Sequence, residues 1–291
     1  MKPAPFDYIR AGSVQEAVDL LVADPDESKL LAGGQSLLPL MGLRLAQPRV
    51  LVDISRIPAL REVRTGAGVV HVGAGVRHAE LERGPAGAPV RALLPVVAEA
   101  ARLIGHAPIR TFGTFGGSLV HADPLSEWCL LALVLDATLV AQGPDGRREI
   151  AVDDYFLGPY TTALDPTEVL TEVVLDSTPH HSAIAEFSRR HGDYGIVLAA
   201  VALTFAAGRC VRARVGLGGV AGTPVRATAV ENALLERRLT DEELDAAADL
   251  AGIGVEPVAD AHGSADYRRA LCTVMVRRAL QTAVARGGGM R

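Results

Sequence analysis

Two short glycine-rich segments constrain this chain more than any other feature of its sequence. They are Ala32-Gly33-Gly34-Gln35-Ser36 and Gly113-Thr114-Phe115-Gly116-Gly117-Ser118, each lying directly before a predicted helix or turn. Glycine adopts positive φ readily and, lacking Cβ, lets a ligand approach the main chain closely. Successive free amides then form a concave nest for an anion, to which a helix N-terminus adds partial positive charge. Two such loops on one domain could clasp a diphosphate from both sides.

The spacing of these glycines excludes the two commonest nucleotide-binding motifs. Neither loop contains G-x-G-x-x-G, and the chain has no G-x-x-x-x-G-K-[ST] segment. Hydroxyls at Ser36, Thr114 and Ser118 add hydrogen-bond donors, but either loop alone is more simply explained as a tight turn. A nucleotide site in this chain must therefore use a fold other than the Rossmann or P-loop folds.

Charge and cysteine usage narrow the class of protein further. The formal net charge is −5, so no basic field is available to bind nucleic acid or an acidic membrane surface. No apolar run approaches the roughly 18 residues of a membrane span. The three cysteines are widely separated, which argues against a disulfide framework and against an iron–sulfur cluster held by this chain alone. This pattern suits a reducing cytoplasm.

Hydrophobic periodicity predicts an α+β chain of two domains. Short helices and strands alternate as far as residue 176, and a polar segment at 177–181 suggests a boundary, giving domains at 1–176 and 177–291. Ser13 and Ser36 are predicted to cap the first two helices. In the second domain, a three-stranded antiparallel sheet is predicted at 183–189, 196–205 and 210–217, followed by helices at 228–237, 241–251 and 265–285. In the first domain, one helix is predicted over 90–104, and the terminal GGGMR is predicted to be disordered.

Three extended segments resemble one known family. LLAGGQSLLPLMGLRLAQP, followed by VLVDISRI, resembles the first cofactor loop of the FAD-binding subunit of molybdenum hydroxylases of the carbon monoxide dehydrogenase and xanthine dehydrogenase family. IRTFGTFGGSLVHADPLSEW resembles the second loop, and FSRRHGDYGIVLAAVAL resembles the start of the carboxyl-terminal domain of the carbon monoxide dehydrogenase flavoprotein. The resemblance covers nearly the whole chain, in the same order.

The resemblance implies a set of cofactor-binding residues in two loops and at three outlying positions. It implies that the first loop wraps the diphosphate of FAD and that the second completes the pocket. It also implies a polar contact from Asp123, an apolar contact from Leu170 and an aromatic ring near the flavin from Tyr194. The loop residues carried over are Lys29, Ala32, Gly33, Gly34, Gln35, Ser36 and Leu37, with Gly113, Thr114, Gly116, Gly117 and Ser118. No catalytic side chain and no metal ligand is expected in this chain.

The same resemblance implies a fold, an activity and partners. The fold is a PCMH or vanillyl-alcohol-oxidase type FAD-binding domain of two subdomains, followed by a smaller carboxyl-terminal domain. The activity is electron transfer within an oxidoreductase: a large molybdopterin-binding subunit oxidises the substrate, and a small subunit with two-iron iron–sulfur clusters passes electrons to FAD, which gives them to an external acceptor. A dimer of heterotrimers is expected.

Two other functions remain open on the sequence alone. One is a self-contained flavin oxidase of the same fold acting on an alcohol or phenol, although the region after His181 shows no obvious acid/base cluster. The other is a scaffold that has lost FAD. His121 and Asp123, with His106, are also a candidate metal set, but a cofactor loop explains Asp123 better. Thr111 and Phe112 depart from the family pattern, in which Thr111 is usually asparagine.

Overall fold

The chain begins with a small parallel sheet in the computed structural model, which describes residues 2–178 and 180–287. The elements are β1 (Asp7–Arg10), α1 (Val14–Ala23), β2 (Ser28–Leu31), α2 (Leu37–Gly42) and β3 (Val50–Asp53). The strand order is β1-β3-β2, with β3 parallel to both neighbours. Ser13 caps α1 as predicted, since its hydroxyl accepts from the Glu16 amide at 3.1 Å. Pro179 and residues 288–291 of the predicted disordered tail lie outside the described residues.

A five-stranded antiparallel sheet forms the second layer of the amino-terminal part. Its strands run in the order β4-β5-β10-β6-β7, and helices separate β5 from β6 along the chain. The strands are β4 (Val63–Gly66), β5 (Val69–Gly73), β6 (Thr138–Gly143), β7 (Gly146–Ala151) and β10 (Val169–Asp176), with a short hairpin of β8 (Phe156–Gly158) and β9 (Thr161–Thr162) before β10. The helices are α3 (His78–Glu82), α4 (Ala88–Leu93), α5 (Pro95–Leu103), α6 (Ala107–Phe112), α7 (Phe115–His121) and α8 (Glu127–Val134).

The helix predicted over 90–104 is in fact two helices. Leu94 has φ −130° and ψ 75°, which is outside the helical region, and α5 starts at Pro95. Proline has no amide hydrogen and disfavours the α conformation in the residue before it, so the chain turns there. The prediction of one continuous helix was wrong because the alanine- and leucine-rich pattern was followed across this proline.

The carboxyl-terminal part contains the predicted antiparallel sheet with one short strand added. The order is β11-β12-β13-β14, and the fourth strand has only two residues. Three of its helices occupy the predicted regions, and the last packs on β11 and β12. These elements are β11 (His181–Phe187), β12 (Val197–Ala206), β13 (Arg209–Gly218), β14 (Val225–Arg226), α9 (Thr228–Leu234), α10 (Asp241–Ala248) and α11 (Ala265–Arg286).

Strand β12 joins the two parts because both of its faces are buried. Leu198 and Ala200 belong to the core that surrounds α8, whereas Val197 and Val201 belong to the core beneath α11. Side chains alternate between the two faces of a strand, so a strand covered on both sides needs a continuous apolar run. This explains why β12 is apolar on both faces over most of its length.

An ion-pair cluster around Asp136 also ties the two parts together. Its carboxylate accepts from Arg212 at 2.6 Å and from Arg214 at 3.0 Å, and it also binds Arg226. Burial works to raise the pKa of Asp136, but the hydrogen bonds and charges of these arginines outweigh it and hold the pKa below its usual value. Asp136 therefore stabilises the fold in its ionised form.

We expect Asp136→Asn to lower the free energy of unfolding by about 1–2 kcal/mol at pH 7. Asparagine tolerates the positive φ of 45° at this position, so the substitution removes mainly the charge. Because the folded pKa is depressed, the difference from wild type is complete above the unfolded pKa of about 3.9 and disappears as the pH falls below it. Urea denaturation at several pH values measures this. Asp153→Asn is the control, because Asp153 is 66% exposed and, within the described residues, its one ion pair is with Arg226, at 3.4 Å.

Candidate cofactor site

A single large cavity collects every residue that the sequence predicts to bind a cofactor. It has a volume of about 850 Å³ and is lined by the parallel-sheet part, the five-stranded-sheet part and one residue of the loop between β11 and β12. The predicted residues that line it are Lys29, Ala32, Gly33, Gly34, Gln35, Ser36, Leu37, Gly113, Thr114, Gly116, Gly117, Ser118, Asp123, Leu170 and Tyr194. Cavities that hold large organic ligands have volumes of roughly 300–1,000 Å³. Residues that are far apart in the sequence thus share one ligand-sized space.

The two glycine loops touch each other at the wall of this cavity. A Cβ added to Gly33 would lie 2.3 Å from the carbonyl oxygen of Phe112 and 2.8 Å from the Cα of Gly113. Real side chains do not occupy such distances, so only glycine allows the loops to meet here. The first loop follows β2, and the second joins α6 to α7. The fold therefore brings the two loops together although about eighty residues separate them.

The first loop presents unused backbone donors. None of the amides of Gly33, Gly34, Gln35 and Ser36 donates a hydrogen bond within the described part of the chain. Gly34 has φ +71°, which turns the loop and lets successive N–H groups converge. The side-chain amide of Gln35 donates to the Gly33 carbonyl at 2.9 Å and holds this turn. These features form a nest that fits an anionic group such as a phosphate.

The second loop offers fewer free amides than expected, because only the Thr114 amide of residues 113–118 donates no hydrogen bond within the described part of the chain. The Phe115 and Gly116 amides donate to the carbonyls of Val76 and Ala74, both at 2.8 Å. The Gly117 amide donates to the Thr114 hydroxyl oxygen at 3.1 Å, which caps α7. This loop is thus fastened to the chain segment that follows β5. It contributes the hydroxyls of Thr114 and Ser118 and a surface that lacks side chains, instead of a nest.

Ser36 does not cap α2, contrary to prediction. Its φ of −104° and ψ of −46° are helical, and its side chain makes no capping hydrogen bond. A capping serine has extended backbone angles that aim its hydroxyl at the helix amides. Ser36 lines the cavity instead, so its hydroxyl remains available for a ligand. Lys29, an exposed residue of β2, adds a cation to the same wall.

The end of the cavity beyond α7 is lined by aromatic and carboxylate groups. Asp123 accepts from the Leu125 amide at 2.9 Å and from the Tyr160 hydroxyl at 3.4 Å. The rings of Tyr160 and His121 lie 5.1 Å apart between centroids. Tyr194 also reaches this cavity but is 64% exposed, and Leu170 lies in β10 with 4% exposure. The three outlying predicted residues are therefore on the same cavity as the loops.

Tyr160 is a cavity residue that the sequence analysis missed. Its φ is +56°, and its amide donates at 3.0 Å to the carbonyl of Ala122, which itself has φ +51°. Non-glycine residues adopt such angles at a cost of order 1–3 kcal/mol, and they cluster at binding sites. No local sequence pattern marks a tyrosine for positive φ, so only the structure reveals it. His121, considered above as a metal ligand, lines the cavity beside Tyr160.

His78 is a second cavity residue that the sequence does not single out. It is 3% exposed, and its Nδ1 accepts from the indole N–H of Trp128 at 3.0 Å. Its own amide donates to the Gly113 carbonyl at 3.0 Å, so the ring lies directly beneath the second loop. Burial, with the nearby Arg110 guanidinium, lowers the pKa of His78 to about 3. The imidazole is therefore neutral at physiological pH.

The two departures from the family pattern lie in α6, beside the second loop. The Thr111 hydroxyl donates to the Ala107 carbonyl at 2.8 Å, one turn earlier in the same helix. Phe112 is 54% exposed, and the Arg77 guanidinium lies 5.8 Å from its ring centroid. Neither residue lines the cavity. Within residues 2–178 and 180–287, no group of three or more histidine, cysteine, aspartate or glutamate side chains could hold a metal ion.

The fold and the cavity together define a class of α+β proteins that hold a dinucleotide cofactor between two subdomains. Family comparison is more specific. Residues 4–177 match the FAD binding domain in molybdopterin dehydrogenase, and residues 182–283 match the CO dehydrogenase flavoprotein C-terminal domain. The chain belongs to the family of FAD-binding medium subunits of molybdenum hydroxylases. This finding confirms the resemblance and the fold inferred from the sequence.

Individual relatives match over almost their whole length. The 6-hydroxypseudooxynicotine dehydrogenase complex subunit alpha of Paenarthrobacter nicotinovorans is 41% identical, over 98% of this chain and 97% of that protein. A carbon monoxide dehydrogenase structure from Hydrogenophaga pseudoflava matches with a TM-score of 0.93 and 41% identity, covering 98% of this chain and 99% of that chain. Quinoline 2-oxidoreductase from Pseudomonas putida 86 matches with a TM-score of 0.94 and 36% identity, over the full length of both chains. Among the described residues, none of the helices has the length and apolar character to cross a membrane.

Proposed function

We propose that this chain is an electron-transfer subunit that takes electrons from iron–sulfur clusters of a partner subunit and passes them to an external acceptor through bound FAD. One observation carries the proposal: two glycine loops meet at the wall of a large cavity, and one of them presents four adjacent unused amides. Bound FAD supplies the redox chemistry, and the protein supplies binding, orientation and electrostatics.

The residues of the cavity fit FAD at both its charged and its aromatic parts. The amides of Gly33 to Ser36 and the hydroxyls of Ser36, Thr114 and Ser118 hold the diphosphate. Lys29 lies on the same wall and balances its charge. Gly113, Gly116 and Gly117 let the second loop pack closely on His78, Ala74 and Thr114 at the cavity wall. Ala32, Gln35 and Leu37 flank the cofactor. Leu170 supplies apolar contact, Asp123 a polar contact and Tyr194 an aromatic cover.

The exposed position of Tyr194 supports the proposal that FAD here exchanges electrons with other molecules. Tyr194 and Tyr160 are 64% and 59% exposed and line the same cavity. Aromatic rings at a cavity mouth shield a cofactor from bulk water while leaving its edge close to the surface. We place the flavin ring at this end of the cavity and the diphosphate at the loop end.

The cysteines support an arrangement in which the iron–sulfur clusters lie in another chain. Cys129, Cys210 and Cys272 are buried and unpaired, and burial raises the pKa of Cys129 to about 12, so its thiol stays protonated. We propose a small iron–sulfur subunit and a large molybdopterin-binding subunit as partners, in a dimer of heterotrimers. Free thiols are also typical of cytoplasmic proteins, and we propose that this chain is cytoplasmic.

We further propose that the chain has two domains, at 1–176 and 177–291, and that each supplies a different part of the cofactor site. The first domain supplies both loops, and the second supplies Tyr194 through the loop between β11 and β12. Family models that meet between residues 177 and 182 support this boundary.

Purification of the complex from its native host tests the proposed function. We expect a flavin absorption spectrum, two co-eluting partner chains, and molybdenum and iron in the preparation. Substrate of the whole complex should bleach the flavin only when the partner chains are present. Reduction of the flavin in the isolated chain by simple alcohols or phenols would instead identify a self-contained oxidase. A colourless chain that does not take up added FAD would identify a scaffold.

A further inference from the structure

The imidazole of His78 has one nitrogen that the protein uses and one that it does not. Trp128 is fully buried, and its indole N–H can only donate, so Nδ1 of His78 must accept. A neutral imidazole carries a single proton, which is therefore on Nε2. Nε2 makes no hydrogen bond among the described residues, although the side chain is more than nine-tenths buried and lines the cavity. Nε2 is not among the fully buried atoms that lack a partner, so this nitrogen of a buried side chain is open to the cavity and available to a ligand atom.

The direction of Nε2 identifies which part of a ligand it meets. A Cβ added to Gly113 would lie 2.6 Å from Nε2, so this nitrogen lies against the backbone of the second loop. Gly113 is also the residue that a Cβ on Gly33 would touch, at 2.8 Å from its Cα. His78 Nε2 thus lies close to the place where the two loops meet, and His78 lines the same cavity as the first loop.

We propose that His78 is a cofactor-binding residue whose Nε2–H donates to a phosphate oxygen of the bound dinucleotide. The inference rests on the proposed FAD site and adds a side-chain donor to a cradle otherwise made of backbone amides and hydroxyls. Trp128 is a positioning residue in this arrangement, because its indole fixes the tautomer and holds the ring.

A neutral donor suits this position because the Arg110 guanidinium already places a positive charge near the ring. Arg110 lies near the ring and is itself paired with Glu82 at 2.9 Å. A charged imidazole would add a second buried cation beside it, whereas a neutral N–H still gives a charge-assisted bond to phosphate. Such bonds contribute enough that losing one weakens binding by about ten- to a hundredfold.

Titration of the apoprotein with FAD and with ADP tests the inference, since ADP carries the diphosphate without the flavin. For the wild type, both ligands should bind. His78→Leu should weaken both by the same factor of about ten to a hundred. His78→Gln, which retains an N–H near the position of Nε2, should recover part of this loss. Weakening of FAD alone would overturn the phosphate assignment, and unchanged binding of both would overturn the inference.

An experiment on the unsubstituted protein guards against variants that fail to fold. Nitrogen-15 imidazole spectra should show His78 as the Nε2–H tautomer in the apoprotein, with an Nε2 shift on addition of ADP. A shift of Nδ1 alone, or no shift on ADP binding, would contradict the proposal. If the folded wild-type protein binds ADP but not FAD, the proposed function fails while this contact stands. If it binds neither, both fail.

Discussion

Replacing Gly33 with alanine should lower FAD affinity at least a hundredfold, the largest effect that we expect from adding one methyl group to this chain. The new Cβ would lie 2.3 Å from the Phe112 carbonyl oxygen, a backbone atom that cannot rotate away. One loop must then move, which separates the two walls of the diphosphate site. A displacement of about 1 Å is enough to break several aligned hydrogen bonds. The ratio of flavin to protein absorbance after purification, and reconstitution with FAD, measure the loss.

A second glycine gives the matched control for this substitution. A Cβ on Gly158, in β8, would meet nothing within 4 Å, and its φ is not in the left-handed region. Gly158→Ala should therefore leave both flavin content and melting temperature unchanged. Gly34→Ala should also lower flavin content, because Gly34 has φ +71° and an added Cβ would lie 2.9 Å from the Leu38 side chain, so backbone strain and contact act together there. Full flavin content in Gly33→Ala would show that the contact between the loops does not shape the site.

The location of the site followed from the sequence because glycine loops leave a local chemical signature. Gly33 and Gly34 lie before α2, Gly116 and Gly117 lie in the first turn of α7, and a backbone that must bind or pack closely needs glycine at those positions. The same local reasoning predicted the cap at Ser13 and the strands of the carboxyl-terminal sheet. Local patterns are informative where the cause of the structure is itself local.

The features that the sequence did not reveal depend on contacts between distant residues. Whether the Gly116 amide is free depends on the Ala74 carbonyl, and the tautomer of His78 depends on Trp128, fifty positions away. The positive φ of Tyr160 is held by a bond to Ala122. No periodicity or motif encodes these pairings, because each needs the tertiary arrangement of segments that are separate in the sequence. The division of roles between the two loops therefore emerged only from the structure.

Removing the guanidinium of Arg268 should cause the largest loss of stability expected outside the apolar cores. The side chain is 6% exposed and starts from α11. It donates to the carbonyls of Ile196 at 2.6 Å and Gly219 at 3.1 Å. It also pairs with Asp260 at 2.7 Å, and this hydrogen bond, before any other cause, lowers the pKa of Asp260 to about 2. Arg268→Met leaves one buried and one partly buried carbonyl without this donor, and we expect a loss of about 2–4 kcal/mol in the free energy of unfolding.

The dependence of this loss on pH separates its two components. Asp260 is 46% exposed, so its ion pair contributes little of the total. Since the folded pKa of Asp260 is depressed, the ion-pair part is complete above the unfolded pKa of about 3.9 and is lost as the pH falls toward 2. The carbonyl part does not titrate. Most of the difference between Arg268→Met and wild type should therefore persist in urea denaturation as the pH is lowered from 7 to about 2, where the Asp260 carboxylate becomes protonated.

Arg269, the neighbouring arginine on α11, provides the control for Arg268→Met. Arg269 is 43% exposed and pairs at 2.8 Å with an almost fully exposed Asp266, so Arg269→Met should cost at most about 0.5 kcal/mol.

Ile196 follows Tyr194 by two residues, so Arg268 anchors the base of the loop that carries the Tyr194 ring. Arg268→Met should therefore speed hydrogen exchange around residues 194–197 and make the flavin more accessible to iodide quenching. Equal effects of the two substitutions would contradict this role for Arg268.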